Sequence, residues 1–374
     1  MKKIFLTKKK NVGKIDYKFL ILLAFLLILG TVMVYSASQP YATRRFGDGY
    51  YYIKRQVIYL LVGGLALAIT SKIPLHIYKK CAPAVYGICL FLLVIVLFGG
   101  FSEGIAKRWL GIPGTPLSFQ PSELMKLGII LMLSWYYDIK KGDGYFPEII
   151  LPGIVLFVPC GLVLLEKHLS GTIILALIGI CIIFIAGTKV KQLIFSYGGV
   201  GIASAIIFLL TNSYALKRIQ SFFDPNANAL DDKWQTNQGL LAIGSGGLWG
   251  NGLFNSIQKY SYVSEPQNDF IFTIWCEETG YIGAICLLTI YGLLLWRGMQ
   301  ISINSNDYFS AIVGIGITSQ IGIQALLNIL VVTDLIPNTG ISLPFFSYGG
   351  SSLIILMAEM GILLSISRNS KIRR

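Results

Sequence analysis

Charge is scarce in this 374-residue chain. Asp, Glu, Lys and Arg together make up 13% of it, against 54% hydrophobic residues and a mean hydropathy of +0.67. A soluble globular domain carries roughly a quarter of its residues as charges, so water is not the main solvent for this protein. Histidine is scarcer still, with two residues. None of the six cysteines (81, 89, 160, 181, 276 and 286) stands in a CxxC spacing or beside a histidine cluster, which argues against a zinc or dithiol centre. They lie within or beside apolar runs and read as small buried hydrophobes. No internal repeat is evident, so the inverted-repeat signature of many secondary transporters is missing. The dinucleotide fingerprint and the P-loop pattern are missing too, which removes the usual nucleotide sites.

The charge that is present is unevenly placed. The net charge is +13, which in a soluble chain would suggest nucleic acid as a partner. Here the excess flanks apolar segments. Lysines 2, 3, 8, 9, 10, 14 and 18 precede the first apolar run, while Arg368, Lys371, Arg373 and Arg374 follow the last. Such flanks set membrane orientation rather than bind a polyanion, and no nucleic-acid partner is expected. The basic start before Phe19–Tyr35 resembles a secretory signal, but further spans follow and it reads as a retained first helix.

A helix needs about 20 apolar residues to cross the hydrocarbon core. Runs of about that length lie near 18–37, 56–71, 81–100, 121–137, 149–166, 170–187, 192–211, 269–296, 310–333 and 342–367. The expectation is an all-α membrane protein, a polytopic bundle of ten transmembrane helices forming a single domain over 1–374. An even count puts both basic tails, 1–17 and 368–374, on the cytoplasmic side. The largest extracytoplasmic element is then the loop over 212–268 between helices 7 and 8. Structureless loops of such length are uncommon unless functional.

Asp269 stands where that loop meets span eight, in Glu265-Pro266-Gln267-Asn268-Asp269-Phe270. A carboxylate there can cap the helix or act as a general base at the outer membrane surface. Glu123 and Lys126, three apart near the start of span four, share a helix face; a pair of this kind inside a span is either a brace or part of a site. Arg55, Lys107, Arg108, Arg218 and Lys259 fall on outer segments, where each is either a side chain snorkelling to lipid head groups or a phosphate-binding group. Glu277, Glu278 and Glu359 can relay protons or hydrogen-bond neighbouring helices. His168 and Glu166 mark a tight outer turn. The glycine string Ala242–Gly252 reads as close backbone packing or a tight turn.

Taken in order, Phe119-Gln120-Pro121-Ser122-Glu123, the Ala242–Gly252 string, Glu265-Pro266 with Asp269-Phe270-Ile271-Phe272, and Leu343-Pro344-Phe345-Phe346-Ser347-Tyr348-Gly349-Gly350-Ser351-Ser352 resemble the SEDS family of FtsW, RodA and SpoVE types over nearly the whole chain. Ile341–Phe346 and Asn338-Thr339-Gly340 lean toward the FtsW/SpoVE branch. Asn268, where threonine is common, and the His168–Thr172 stretch depart from the usual pattern beside the charged positions.

The resemblance implies a ten-helix peptidoglycan glycosyltransferase of the bacterial cytoplasmic membrane, which polymerises lipid II onto a growing glycan strand. It implies a class B penicillin-binding protein as partner, with other division or elongation membrane proteins. It places the family's essential aspartate on Asp269, its helix-four pair on Glu123 and Lys126, and its arginines on Arg55 and Arg218. Asp269 is then the general base and undecaprenyl diphosphate the leaving group, with Arg55, Lys107, Arg108, Lys126 and Arg218 stabilising charge. A divalent cation, Mg or Mn, could assist, although no cation site is legible. Competing expectations are a lipid II flippase or transporter and a noncatalytic scaffold.

Overall fold

The computed structural model describes residues 13, 15–102, 107–111, 118–140, 144–211, 216, 220, 222–223, 232–260 and 262–370. Helices dominate: α1 (Tyr17–Phe46), α2 (Tyr51–Lys72), α3 (Leu75–Gly99), α4 (Pro121–Ile139), α5 (Phe146–Leu165), α6 (Leu169–Ile185), α7 (Val190–Leu210), α8 (Asp232–Ser245), α9 (Ile271–Ile303), α10 (Tyr308–Val332) and α11 (Gly350–Arg368). Between α3 and α4 a small antiparallel pair, β1 (Phe101–Ser102) with β2 (Lys107–Trp109), is the one sheet among the described residues.

Eight of these helices, α1, α2, α3, α5, α7, α9, α10 and α11, are long and apolar enough to cross a membrane. Of the ten expected spans, the other two correspond to α6, which is short at 17 residues, and to α4, which spans 19 and carries Glu123, Lys126 and Asp138. Gly13 N donates to Arg368 O at 2.6 Å, and Arg297 Nη2 meets Asp16 Oδ2 at 2.8 Å, so the two described termini meet at one end of the bundle.

Some boundaries differ from the expected ones. Helix α1 runs on past residue 37 through a polar stretch to Phe46, where Gly47, at φ 71°, closes it by donating to Thr43 O. Loss of hydropathy marks where the lipid ends, and the helix continues until a residue suited to the left-handed conformation stops it. Span ten starts at Gly350 rather than 342; residues 342–349 form a non-helical segment, with Phe345 at φ 64°. The 212–268 segment contains the helix α8.

Helices α10 and α11 are central. Of their spans 61% and 72% is buried, against 17% for α7. Helix α11 packs most extensively on α2, where small residues permit close approach: a Cβ on Gly361 would lie 2.5 Å from Leu67 O, and one on Gly63 would lie 2.5 Å from Met357 Sδ.

Helix α9 is interrupted at Gly280 (φ 67°, ψ −167°). Backbone groups freed inside a membrane bundle need protein partners, and the glycine string supplies them. Asn251 N and Gly252 N donate to Glu277 O and Glu278 O at 3.0 Å each, while Tyr281 N donates to Gly247 O at 2.9 Å. The approach is so close that a Cβ on Gly250, itself at φ 80°, would lie 2.2 Å from Glu278 O. The close-packing reading of the string therefore holds.

Candidate active site

A cavity of about 230 Å³ opens among α4, α6, α10, α11 and the segments before α9 and α11. Glu123, Lys126, His168, Asn268, Gln324 and Tyr348 are among its lining residues. Helix α4 begins at Pro121, which suits a first helical position, and its first turn holds Glu123. Lys126 Nζ donates to Glu123 Oε2 at 2.7 Å, and the lysine side chain is only 3% exposed. The predicted pair is therefore formed in the cavity wall.

Asp269 reaches the same region. Phe270, not Asp269, is the N-cap residue of α9, and it makes no side-chain cap hydrogen bond. The backbone of Asp269 is fixed: Asn328 Nδ2 donates to Asp269 O at 2.7 Å and to Ile341 O at 2.6 Å, and Tyr348 N donates to Gln267 O at 2.8 Å. The half-buried carboxylate faces Gly340, where a Cβ would stand 3.6 Å from Asp269 Oδ2. Asn268 and Gly340 both line the cavity.

Two arginines stand at its margin. The Arg55 guanidinium lies 4.3 Å from the Tyr51 ring centroid and hydrogen-bonds Tyr348. Burial, above all, pushes the Tyr348 phenol above its ordinary value. Arg108 Nη2 donates to Lys167 O at 2.6 Å, and its charge acts on His168.

Lys259, expected among the substrate-binding residues, lies away from this cavity. Its Nζ lies 2.9 Å from Glu278 Oε1, 2.7 Å from Phe254 O and 3.1 Å from Ser36 Oγ, with the side chain 3% exposed. It does not line the cavity; it braces α1, the folded loop and the broken α9. Glu277 serves the same construction, accepting from Ile257 N at 2.8 Å and Ser256 Oγ at 2.5 Å. Lys107 is placed in β2, but its side chain lies outside the described residues, as does Arg218 altogether.

Sequence reasoning passed over the amides. Gln320, Gln324 and Asn328 recur every fourth residue on α10, which puts them on one face. Gln324 lines the cavity and Asn328 holds Asp269, while Gln320 Nε2 donates to Glu359 Oε2 at 2.8 Å. Three amides at helical spacing within an apolar run were the available signal. His168 was also underrated.

His168 and Glu166 have opposed protonation behaviour. Burial, reinforced by Arg108 and Lys126, pushes the His168 imidazole down to about 3 from 6.5. Burial raises the Glu166 carboxyl from 4.5 to about 8, and Arg108 only partly offsets this. Both Glu166 oxygens are buried without a hydrogen-bond partner among the described residues. A depressed histidine contributes stability above pH 6.5 that is lost as pH falls toward 3; a raised carboxyl contributes stability below pH 4.5 that is lost as pH rises through 8. Together they predict stability rising from pH 3 to 4.5, level to about 6.5, then falling to about 8. Melting temperatures of Glu166→Gln in detergent should fall less than those of the wild type between pH 6.5 and 8; a fall equal to that of the wild type would show that Glu166 does not contribute to it.

Comparison with known proteins gives a consistent picture. The family model FTSW_RODA_SPOVE, described as cell cycle protein, matches residues 17–372. Stage V sporulation protein E of Bacillus subtilis (strain 168) is 38% identical, covering 95% of this chain and 98% of its own length. The probable peptidoglycan glycosyltransferase FtsW of Geobacter sp. (strain M18) is 36% identical, with 96% and 98% covered. Among solved structures, a chain from a peptidoglycan synthase complex that coordinates polymerization and crosslinking superimposes with a TM-score of 0.79 at 25% identity, covering 95% and 98%. The rod shape determining protein RodA of Thermus thermophilus gives 0.71 at 27%, covering 96% and 98%.

Proposed function

The chain belongs to the FtsW/RodA/SpoVE family, and we propose on that premise that it is a peptidoglycan glycosyltransferase polymerising lipid II at the outer face of the bacterial cytoplasmic membrane. The observation that carries this reading is the near-full-length likeness to the FtsW relatives, joined to a polar cavity in which Glu123, Lys126 and the Asp269 segment converge. Counting α4 and α6 as crossings gives ten spans. The described termini share one end, and the lysine-rich start and arginine-rich finish support a cytoplasmic position for that end, with the cavity outside.

Asp269 takes the proton from the sugar hydroxyl of an acceptor lipid II. The hydroxyl oxygen then bonds to the anomeric carbon of the growing chain, whose bond to the diphosphate oxygen breaks, and undecaprenyl diphosphate departs with that electron pair. Positive groups aimed at the leaving diphosphate lower the barrier; Lys126, Arg55 and Arg108 are candidates for that role, and Lys107 and Arg218 are further ones. Among the described residues no group of three His, Cys, Asp or Glu could hold a metal ion. A Mg or Mn ion would fit here as one carried on the substrate diphosphate and met by one or two carboxylates. The crosslinking partner proposed is a class B penicillin-binding protein.

The test is polymer formation from labelled lipid II by the purified chain, alone and with that partner after its transpeptidase is blocked. Glycan polymer from the complex is the expected product. A folded complex that makes none, yet moves lipid II between liposome leaflets, would put the transporter reading first.

A further inference from the structure

The reaction above makes no use of His168, although its ring lines the cavity. The ring is held in place by its neighbours. Gln120 Nε2–H donates to Nδ1 at 3.1 Å, and Ser122 Oγ lies 3.4 Å from the same nitrogen. Gly171 leaves room for the ring: a Cβ there would stand 2.5 Å from Nδ1 and 2.6 Å from Cε1. An amide N–H can only donate, so Nδ1 is the acceptor and the proton of the neutral ring resides on Nε2. Neutrality follows from burial and from Arg108 and Lys126 nearby, which hold the imidazole down at about 3. Among the described residues no partner engages Nε2, and that atom is not one of the enclosed polar atoms lacking a hydrogen bond. The remaining polar edge of the ring is therefore reachable from the cavity.

We propose that His168 is a substrate-contacting residue, fixed as the Nε2–H tautomer by Gln120 and Ser122, which donates one uncharged hydrogen bond to a phosphate or sugar oxygen of the lipid-linked saccharide. The inference rests on the glycosyltransferase reading for the identity of the ligand. It adds a donor to the cavity without adding charge, so the Glu123–Lys126 pair is left intact.

Glutamine and asparagine separate the two ring nitrogens. A glutamine amide reaches the place of Nε2, whereas an asparagine amide reaches that of Nδ1. His168→Gln, His168→Asn and His168→Ala would be compared in the full chain for equilibrium binding of fluorescent lipid II in detergent micelles, for KM and kcat of polymerisation with the penicillin-binding partner, and for melting temperature. The expected result is binding and KM within about threefold of wild type for glutamine, and about tenfold weaker for asparagine and alanine, the effect of losing one hydrogen bond. Wild-type binding by the alanine variant, or rescue by asparagine in place of glutamine, would overturn the proposal. Wild-type protein that binds lipid II and makes no polymer would instead overturn the glycosyltransferase reading, because binding is measured without turnover.

Discussion

Replacing Asp269 with asparagine is expected to lower the rate of polymer formation by ~10³-fold, within the 10²–10⁴ range that a positioned general base contributes, with little change in melting temperature. The substitution keeps the shape of the side chain and removes its capacity to accept a full proton. The backbone contact that holds position 269, Asn328 Nδ2 to Asp269 O, does not involve the carboxylate. The N-cap residue of α9 is Phe270 rather than Asp269. A helix cap in that place would predict the reverse pattern, a stability loss of about 0.5–2 kcal/mol with turnover retained. Asp269→Glu keeps a carboxylate but carries it one methylene further from the backbone that Asn328 holds, and should restore only part of the rate. Single-turnover assays with saturating lipid II would separate loss of the chemical step from loss of binding; an asparagine variant polymerising at the wild-type rate would remove Asp269 from the reaction.

Much of this arrangement was legible in the chain alone, for physical reasons that differ from residue to residue. Apolar length announces a membrane helix because the bilayer has a fixed thickness, so most spans were placed within a few residues. The Glu123–Lys126 pair was legible because three-residue spacing puts two side chains on one face whatever surrounds the helix. Lys259 was not legible. Its neighbours in sequence are polar and suggest an exposed loop, whereas its partners are Ser36 in α1 and Glu278 in α9, 223 and 19 residues away. The break in α9 was hidden as well, because Gly280 lies in an otherwise continuous apolar helix, and only the docking of Gly246–Gly252 onto it makes the interruption tolerable. His168 illustrates the same limit: histidine beside a turn carries little information until Gln120, Ser122 and Gly171 are seen around it.

The brace around Lys259 leads to the other large effect. Lys259→Met should destabilise the protein by about 3–5 kcal/mol, the cost of leaving one member of a buried ion pair uncompensated. Glu278 is fully buried; its Oε1 would keep Ser36 Oγ at 2.6 Å and Ser256 N at 3.4 Å, but lose the ammonium at 2.9 Å. Glu278 Oε2 already lacks a hydrogen-bond partner among the described residues, so the carboxylate has no second anchor in the brace. Pairing Lys259→Met with Glu278→Gln removes both charges and should recover most of the loss, since an uncharged replacement of a buried pair is often neutral or better. The double variant also distinguishes bracing from substrate binding. Were Lys259 a phosphate ligand, the double variant would regain stability while keeping a raised KM for lipid II; as a brace, it should regain both stability and the wild-type KM.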